Sequence, residues 1–142
     1  MVALLDVNVL IAQMDQVHQY HRTASQWWVQ HQAAGWASCA ITQNGCVRIV
    51  SQPSYANKQP MRAVLTQLRI LTANSAHSFW PEGISLLDSS IFRHEHLHGP
   101  AQLTDAYLLA MAVKNKGRFV TLDRAIALNT VHGAKPSHIV VL

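Results

Sequence analysis

The chain has 142 residues, of which 49% are hydrophobic and 13% are charged, so it can fill the core of one domain and is unlike a disordered chain. Its net charge of +4 is compatible with a polyanionic partner such as nucleic acid. The two cysteines lack a metal-binding spacing and cannot form a disulfide framework. The longest apolar run, residues 106–113, is too short to cross a membrane, and no basic leader precedes it. We therefore expect a cytoplasmic protein without membrane association.

The first dozen residues predict a buried strand that runs directly into a helix. Residues 2–5 form an unbroken apolar run, which is typical of a parallel strand buried on both faces. Val7, Leu10 and Ile11 then recur at helical spacing. Asp6 would lie at the carboxyl end of the strand, where open α/β sheets place their ligand crevice. The alternative is that Asp6 only caps the helix.

Helices and strands alternate along the remainder of the chain. The apolar patterns predict helices at residues 18–34, 41–50, 60–71, 89–92, 103–113 and 124–128. They predict strands at residues 36–40, 84–87, 118–122 and 139–142. This alternation is typical of an α/β fold with a mostly parallel central sheet and helices on both faces. We expect residues 1–142 to form one domain.

Carboxylates recur at the predicted strand ends. Asp6, Asp88 and Asp123 each follow an apolar stretch, and Asp105 lies in the first turn of an apolar helix. Several carboxylates in one crevice would repel each other unless a divalent cation, such as Mg²⁺ or Mn²⁺, neutralised them. Such a site performs phosphoryl-transfer chemistry. The spacing leaves open whether these acids converge or act as separate caps.

Four segments of the chain, in order, resemble the PIN-domain nucleases and, among them, the VapC toxins of bacterial toxin–antitoxin pairs. They are LLDVNVLI at 4–11, ITQNGCVRI at 41–49, LTDAYLLAMA at 103–112 and FVTLDRA at 119–125. The resemblance implies a three-layer α/β/α sandwich and an endoribonuclease that depends on Mg²⁺, with Mn²⁺ as a possible substitute, and acts on tRNA or rRNA. It further implies a homodimer restrained by a cognate VapB-like antitoxin.

The resemblance also assigns the catalytic and metal-binding acids. Asp6, Asp105 and Asp123 match the three carboxylates of the family, whereas Asp88 does not match a family position and is expected to be a cap. The family usually has a fourth acid where this chain has Gln43. An amide oxygen can bind a metal but brings no charge, which weakens the expectation of a second metal. Gln43 is therefore expected in or just outside the ligand shell.

Further polar residues are expected to support these acids. Asn8 matches a polar position near the family's site. Thr42 and Thr121 would orient the acids by hydrogen bonds or serve the backbone, Thr42 as the cap of the third helix. Arg124, which follows Asp123, is the first candidate for contact with an RNA phosphate, although a lone arginine is more often a solvated surface charge.

Two aromatic features have open interpretations. The histidine-rich loop at residues 94–98 could bind zinc, border an RNA groove or be solvated. The four tryptophans could pack in the core or stack on bases. Helical or strand placement favours packing, although Trp27 and Trp28 are adjacent and point in different directions, so one of them could be exposed. His18 is expected to be an exposed helix residue.

Two other functions compete with that of a toxin. One is a catalytically silent PIN domain that binds RNA or a protein partner, which the amide at Gln43 keeps open. The other is a PIN nuclease of RNA maturation outside any toxin pair. Metal-dependent stabilisation separates a nuclease from a silent domain, because a bound cation stabilises the folded state by mass action.

Overall fold

A computed structural model describes all residues, 1–142, and contains one five-stranded sheet. The strands are β1 (Ala3–Leu5), β2 (Trp36–Ser38), β3 (His77–Phe79), β4 (Arg118–Thr121) and β5 (Ile139–Val141). Their spatial order is β3-β2-β1-β4-β5, and every pairing is parallel. The predicted parallel sheet is confirmed, with β1 at its centre.

Five α-helices connect and cover these strands. They are α1 (Val7–Met14), α2 (His21–His31), α3 (Ala40–Val50), α4 (Met61–Thr72) and α5 (Gln102–Lys114). Short 3₁₀ turns cover Gln32–Ala34, His94–His96, Leu128–Thr130 and Pro136–His138. None of the helices is long and apolar enough to cross a membrane.

The core is divided into two clusters, one on each face of the sheet. Alternate residues of β1 point to opposite faces, as the pleat requires. Ala3 and Leu5 join one cluster with residues of α1 to α4, whereas Leu4 joins the other with residues of α5. Each fully buried leucine contributes about 1.5–3 kcal/mol. The predicted α/β/α sandwich is therefore confirmed.

The third strand of the sheet does not lie where the apolar pattern placed it. Residues 84–87 form no strand; Leu87 is 85% exposed, and β3 is formed instead by the polar segment His77–Phe79. An edge strand has one neighbour and can leave its side chains in water, so its sequence need not be apolar. The short helices predicted at 89–92 and 124–128 are also absent.

The starts of α2 and α3 also differ from the sequence prediction. A turn after α1 delays α2 to His21, with the His18 N–H donating to the Asp15 carbonyl at 3.0 Å. Cys39, rather than Thr42, is the N-cap of α3. The Thr42 hydroxyl accepts from the Cys39 N–H at 2.9 Å, so Thr42 acts from the third helical position. Thr42 serves the backbone and not the acids.

All four tryptophans pack in the interior. Trp27 and Trp28 are each 8% exposed, so the favoured packing is confirmed and neither ring is open to solvent. Trp28 packs edge-on against Trp36 with ring centres 5.0 Å apart. Adjacent helical residues can both be buried here because α2 packs on α1 and its Trp28 ring also packs on Trp36 of β2.

Candidate active site

Two of the predicted acids meet because β1 and β4 are parallel neighbours. Parallel strands present their carboxyl ends at the same edge of the sheet, and Leu5 pairs with Val120 in the register. Asp6 follows β1 directly, and its N–H donates to the Val120 carbonyl at 2.9 Å. Asp123 lies two residues beyond the end of β4. The local sequence therefore places both carboxylates at the carboxyl end of the sheet, after two neighbouring central strands.

The Thr121 hydroxyl joins these two acids into one network. It donates to Asp6 Oδ2 at 2.6 Å and accepts from the Asp123 N–H at 3.0 Å. Asn8 Nδ2 donates to the same hydroxyl at 3.4 Å, and the Val7 N–H donates to Asp6 Oδ1 at 2.7 Å. A hydroxyl has one donor and two acceptor positions, so Thr121 is fully used. Asp6 is thereby held in one orientation.

Asn8 closes the network on the β4 side. Its Oδ1 accepts from the Leu122 N–H at 3.3 Å, while its amide contacts Thr121. Asp123 Oδ1 accepts from the Ala125 N–H at 2.7 Å, which stabilises the turn after β4. The segments after both strands are therefore tied to each other by side chains.

The third acid, Asp105, comes from the first turn of α5. This helix is buried along most of its length, from Ala106 to Ala112, which fixes its position against the sheet. Asp105 is half-buried and lines the same cavity as the other two acids, of about 360 Å³. The full lining comprises Asp6, Val7, Asn8, Ile11, His18, Ile49, Tyr55, Asp105 and Asp123.

The electrostatics of the cavity disfavour three negative charges. Burial raises the pKa of Asp105 to about 6, helped by the charges of Asp6 and Asp123, and no hydrogen bond offsets these effects. Burial also raises the pKa of Asp6, although hydrogen bonds from Thr121 and the Val7 N–H oppose the increase. Like charges in a poorly solvated site need a counter-charge to remain ionised together.

A divalent cation suits this donor set. Carboxylate and amide oxygens are the ligands of Mg²⁺ and Mn²⁺, and Mg²⁺ keeps several waters as its other ligands. Asp6, Asp105 and Asp123 would hold the ion, because they line one cavity in which burial and the charge of Asp123 raise the pKa of Asp6 and Asp105. No three His, Cys, Asp or Glu side chains are close enough to form a complete ligand group. The ion would have to draw the acids together.

Gln43 does not line this cavity, contrary to the expected place in or near the ligand shell. Its Nε2 donates to Ser38 Oγ at 2.9 Å, and it lines a different cavity with Arg69 of α4. The Ser38 hydroxyl also contacts His77 Nε2 at 2.8 Å. The amide thus has its partner in a network that joins the last residue of β2 to the first residue of β3.

The remaining predicted residues lie outside the acid cavity. Arg124 is exposed on the turn after Asp123, where its guanidinium is open to solvent. Asp88 is exposed, and its carboxylate accepts from the Ser90 N–H at 2.9 Å, as a local turn. In the histidine-rich loop, His94 Nε2 contacts the Leu86 carbonyl at 2.7 Å.

Sequence reasoning missed two residues of the cavity wall, His18 and Tyr55. His18 is half-buried in the turn before α2 rather than exposed on a helix. Tyr55 lies in the loop between α3 and α4. Neither belongs to a strand end or an acid motif, so no local pattern marked them.

The fold and the acid cavity together define the class of the protein. An α/β/α sandwich that gathers carboxylates at the end of a parallel sheet is the arrangement expected of a PIN-domain nuclease. A crystal structure of VapC20 from Mycobacterium tuberculosis, described as a sarcin–ricin loop cleaving toxin, has a similar fold. Its TM-score is 0.60 at 11% identity, over 82% of this chain and 85% of that one.

Sequence relatives then identify the family. The chain is 48% identical to ribonuclease VapC44 of Mycobacterium tuberculosis over 99% of both proteins. It is 38% identical to ribonuclease VapC39 of the same organism, over 89% of this chain and 92% of the relative. No family model matches the chain. On these identities the chain belongs to the VapC family of PIN-domain ribonucleases.

Proposed function

We propose that this VapC ribonuclease cuts RNA internally with one Mg²⁺ or Mn²⁺ ion held by Asp6, Asp105 and Asp123. The observation that carries the proposal is that these three acids, from β1, α5 and the end of β4, line one cavity. Three separate helix caps would have no reason to share a cavity in which burial and neighbouring carboxylate charges raise the pKa of Asp6 and Asp105.

Each group of the chain has a distinct role in this proposal. When bound, the cation would polarise the phosphodiester, lower the pKa of an attacking water and offset the charge that develops. Thr121 and Asn8 orient Asp6 and Asp123 before substrate arrives. Asp105 supplies the third carboxylate from an independent element. The exposed Arg124 would contact a phosphate of the RNA outside the cavity.

The substrate and partners are proposed from the relatives. VapC20 is described as cleaving the sarcin–ricin loop, and we propose a structured RNA, tRNA or rRNA, as the target here. Membership of the VapC family supports a VapB-like antitoxin as the protein partner. A homodimer stays a prediction from the family resemblance, and a cytoplasmic location stays a prediction from the composition of the sequence.

Cleavage of a mixed tRNA and rRNA pool tests the proposal. Antitoxin-free protein is incubated with Mg²⁺, Mn²⁺ or EDTA, beside Asp6→Asn and a matched control, Asp88→Asn. Asp88 also follows two leucines but lies on the surface, outside the acid cavity. We expect metal-dependent fragments from the wild type and Asp88→Asn, and none from Asp6→Asn.

Metal binding has a readout that does not depend on choosing the right RNA. A cation at 100 times its dissociation constant stabilises the folded protein by about 2.7 kcal/mol. We expect Mn²⁺ to raise the melting temperature of the wild type and of Asp88→Asn, and EDTA to reverse the shift. Absence of both the shift and cleavage would favour a catalytically silent PIN domain.

A further inference from the structure

Part of the lining of the acid cavity is not used by the proposed reaction, and we call this part the second wall. This wall contains the rings of His18 and Tyr55 beside the aliphatic side chains of Val7, Ile11 and Ile49. Aromatic and aliphatic surface suits the face of a nucleobase, since bases stack on aromatic rings irrespective of their sequence. The wall lies in the same cavity as the carboxylates, so a base bound there would be next to the reacting phosphate.

His18 has a defined hydrogen-bonding state at this wall. Its Nδ1 accepts from the Tyr20 N–H at 3.0 Å, and its backbone N–H donates to the Asp15 carbonyl at 3.0 Å. A neutral imidazole whose Nδ1 is an acceptor carries its proton on Nε2. His18 can therefore donate from Nε2, and base edges carry ring-nitrogen and carbonyl acceptors that match such a donor.

Tyr55 is held at this wall by Asp15, at the end of α1. The Tyr55 hydroxyl donates to Asp15 Oδ2, and Asn57 Nδ2 donates to Asp15 Oδ1 at 2.8 Å. The Val17 N–H donates to the same oxygen at 3.1 Å. Asp15 is 9% exposed, so it ties the turn that carries His18 to the loop that carries Tyr55.

These hydrogen bonds also keep Asp15 charged. Burial alone would raise the pKa of Asp15, but the bonds from Tyr55, Asn57 and the Val17 N–H lower it overall. An ionised carboxylate is a stronger acceptor than a neutral one. The tie between the two segments is therefore strong at neutral pH.

We propose that His18 and Tyr55 form a nucleobase subsite, in which the base beside the scissile phosphate stacks on the Tyr55 ring and accepts a hydrogen bond from His18 Nε2. In this arrangement Asp15 is a positioning residue that holds both side chains. The inference rests on the proposed ribonuclease function. At this wall a phosphate is a poorer occupant than a base, because the wall offers aromatic and aliphatic surface and no lysine or arginine lines the cavity.

Binding of short RNA to the full chain tests this subsite. The probes are fluorescein-labelled RNA octamers of A, C, G or U, each also made with a single abasic position moved along the strand. Ca²⁺ replaces Mg²⁺ so that binding can be measured by anisotropy with an oxygen-seeking cation present. We expect one abasic position to weaken binding to the wild type by about 5- to 100-fold, the usual range for loss of a stacked base.

Variants at two positions distinguish the contributions of the Tyr55 ring, the Tyr55 hydroxyl and the His18 donor to RNA binding. Tyr55→Leu removes the ring and should weaken binding of intact octamers by about the same factor, while making the critical abasic position harmless. Tyr55→Phe keeps the ring and should weaken binding of the octamers less than Tyr55→Leu does. His18→Ala should flatten the preference among the four octamers, and His18→Gln, which keeps a donor, should restore part of it. In cleavage assays the losses should fall on KM more than on kcat.

Matched controls use aromatic positions away from the cavity. Phe79→Leu alters an exposed ring on β3, and His132→Ala alters a histidine that contacts Arg93; both should bind octamers as the wild type does. Retention of the Mn²⁺ melting shift in every variant shows that the acid cavity is intact.

If each abasic position reduces RNA affinity equally in Tyr55→Leu and in the wild type, the subsite is refuted while the proposed function stands. If the wild type neither binds RNA nor gains stability with Mn²⁺, the proposed function fails and the subsite fails with it.

Discussion

The two sources of acids in the cavity differ in how firmly the protein holds them. Asp6 and Asp123, at the ends of neighbouring strands, share the Thr121 hydroxyl and accept further backbone hydrogen bonds. Asp105, at the start of α5, has its pKa raised to about 6 by burial and by the other two acids, with no hydrogen bond in compensation. The strand ends are preorganised by hydrogen bonds, whereas no hydrogen bond offsets the charge of Asp105.

The largest expected effect comes from removing a charge at the preorganised end. Asp6→Asn keeps the shape of the side chain but loses one ligand charge, and we expect RNA cleavage to fall by more than about 100-fold. Cleavage is measured on the RNA pool with Mg²⁺, and circular dichroism checks the fold. Asp88→Asn is the matched surface control. Wild-type activity in Asp6→Asn would remove this acid from the reaction.

The next effect tests whether the shared hydroxyl is what preorganises the strand ends. Thr121→Val keeps the branched shape but removes the donor to Asp6 and the acceptor for the Asp123 N–H. We expect about a 10- to 100-fold loss in Mn²⁺ affinity or cleavage rate. Thr121→Ser should recover most of it, because it restores the hydroxyl. Equal loss in both variants would point to packing instead of orientation.

A smaller effect, on stability, tests the uncompensated charge of Asp105. A group whose pKa is higher in the folded state binds protons more tightly when folded, so metal-free protein should gain stability as the pH falls from about 7 towards 4. Asp105→Asn removes this dependence and should melt about 3 °C above wild type at pH 8 in EDTA, after discounting for solvent exposure.

The difference between Asp105→Asn and the wild type should shrink by pH 5, where Asp105 of the wild type is mostly protonated. Adding Mn²⁺ at pH 8 should reverse the order, because only the wild type keeps all three ligands. Melting curves at four pH values, with and without Mn²⁺, measure both trends. A difference in melting temperature that does not change with pH would mean that burial and the neighbouring charges do not raise the pKa of Asp105.

The smallest effect is expected at Gln43. Its amide contacts Ser38 and lies outside the acid cavity, so Gln43→Glu should change Mn²⁺ affinity by less than about 10-fold. Isothermal titration with Mn²⁺ measures the change, and Asn44→Asp, an exposed neighbour on α3, controls for added charge. A larger gain would show that an acid at this position reaches the ion, as the family pattern implies.

Errors of the sequence prediction cluster where a segment has few neighbours. The stretch Ile84–Leu87 has a strand-like apolar pattern, yet it forms a turn with Leu87 in solvent, and the polar His77–Phe79 segment takes the sheet edge. Pairing with β2 decides this choice, and pairing is a long-range contact that a local pattern does not contain. The central strands were predicted because burial on both faces demands continuous apolar sequence.

Sequence alone determined the parts of the site that are local. The buried apolar strand β1 ends where the charged residue Asp6 follows it, so the local sequence places Asp6 at the carboxyl end of the sheet. The same holds for Asp123 after β4. Only the tertiary structure decided which other side chains join them. The packing of α5 brings Asp105 to the cavity. Asp15 holds His18 and Tyr55 there, through a hydrogen bond from Tyr55, which lies 40 residues further along the chain. The Gln43 amide donates to the Ser38 hydroxyl, a partner that the sequence pattern does not predict.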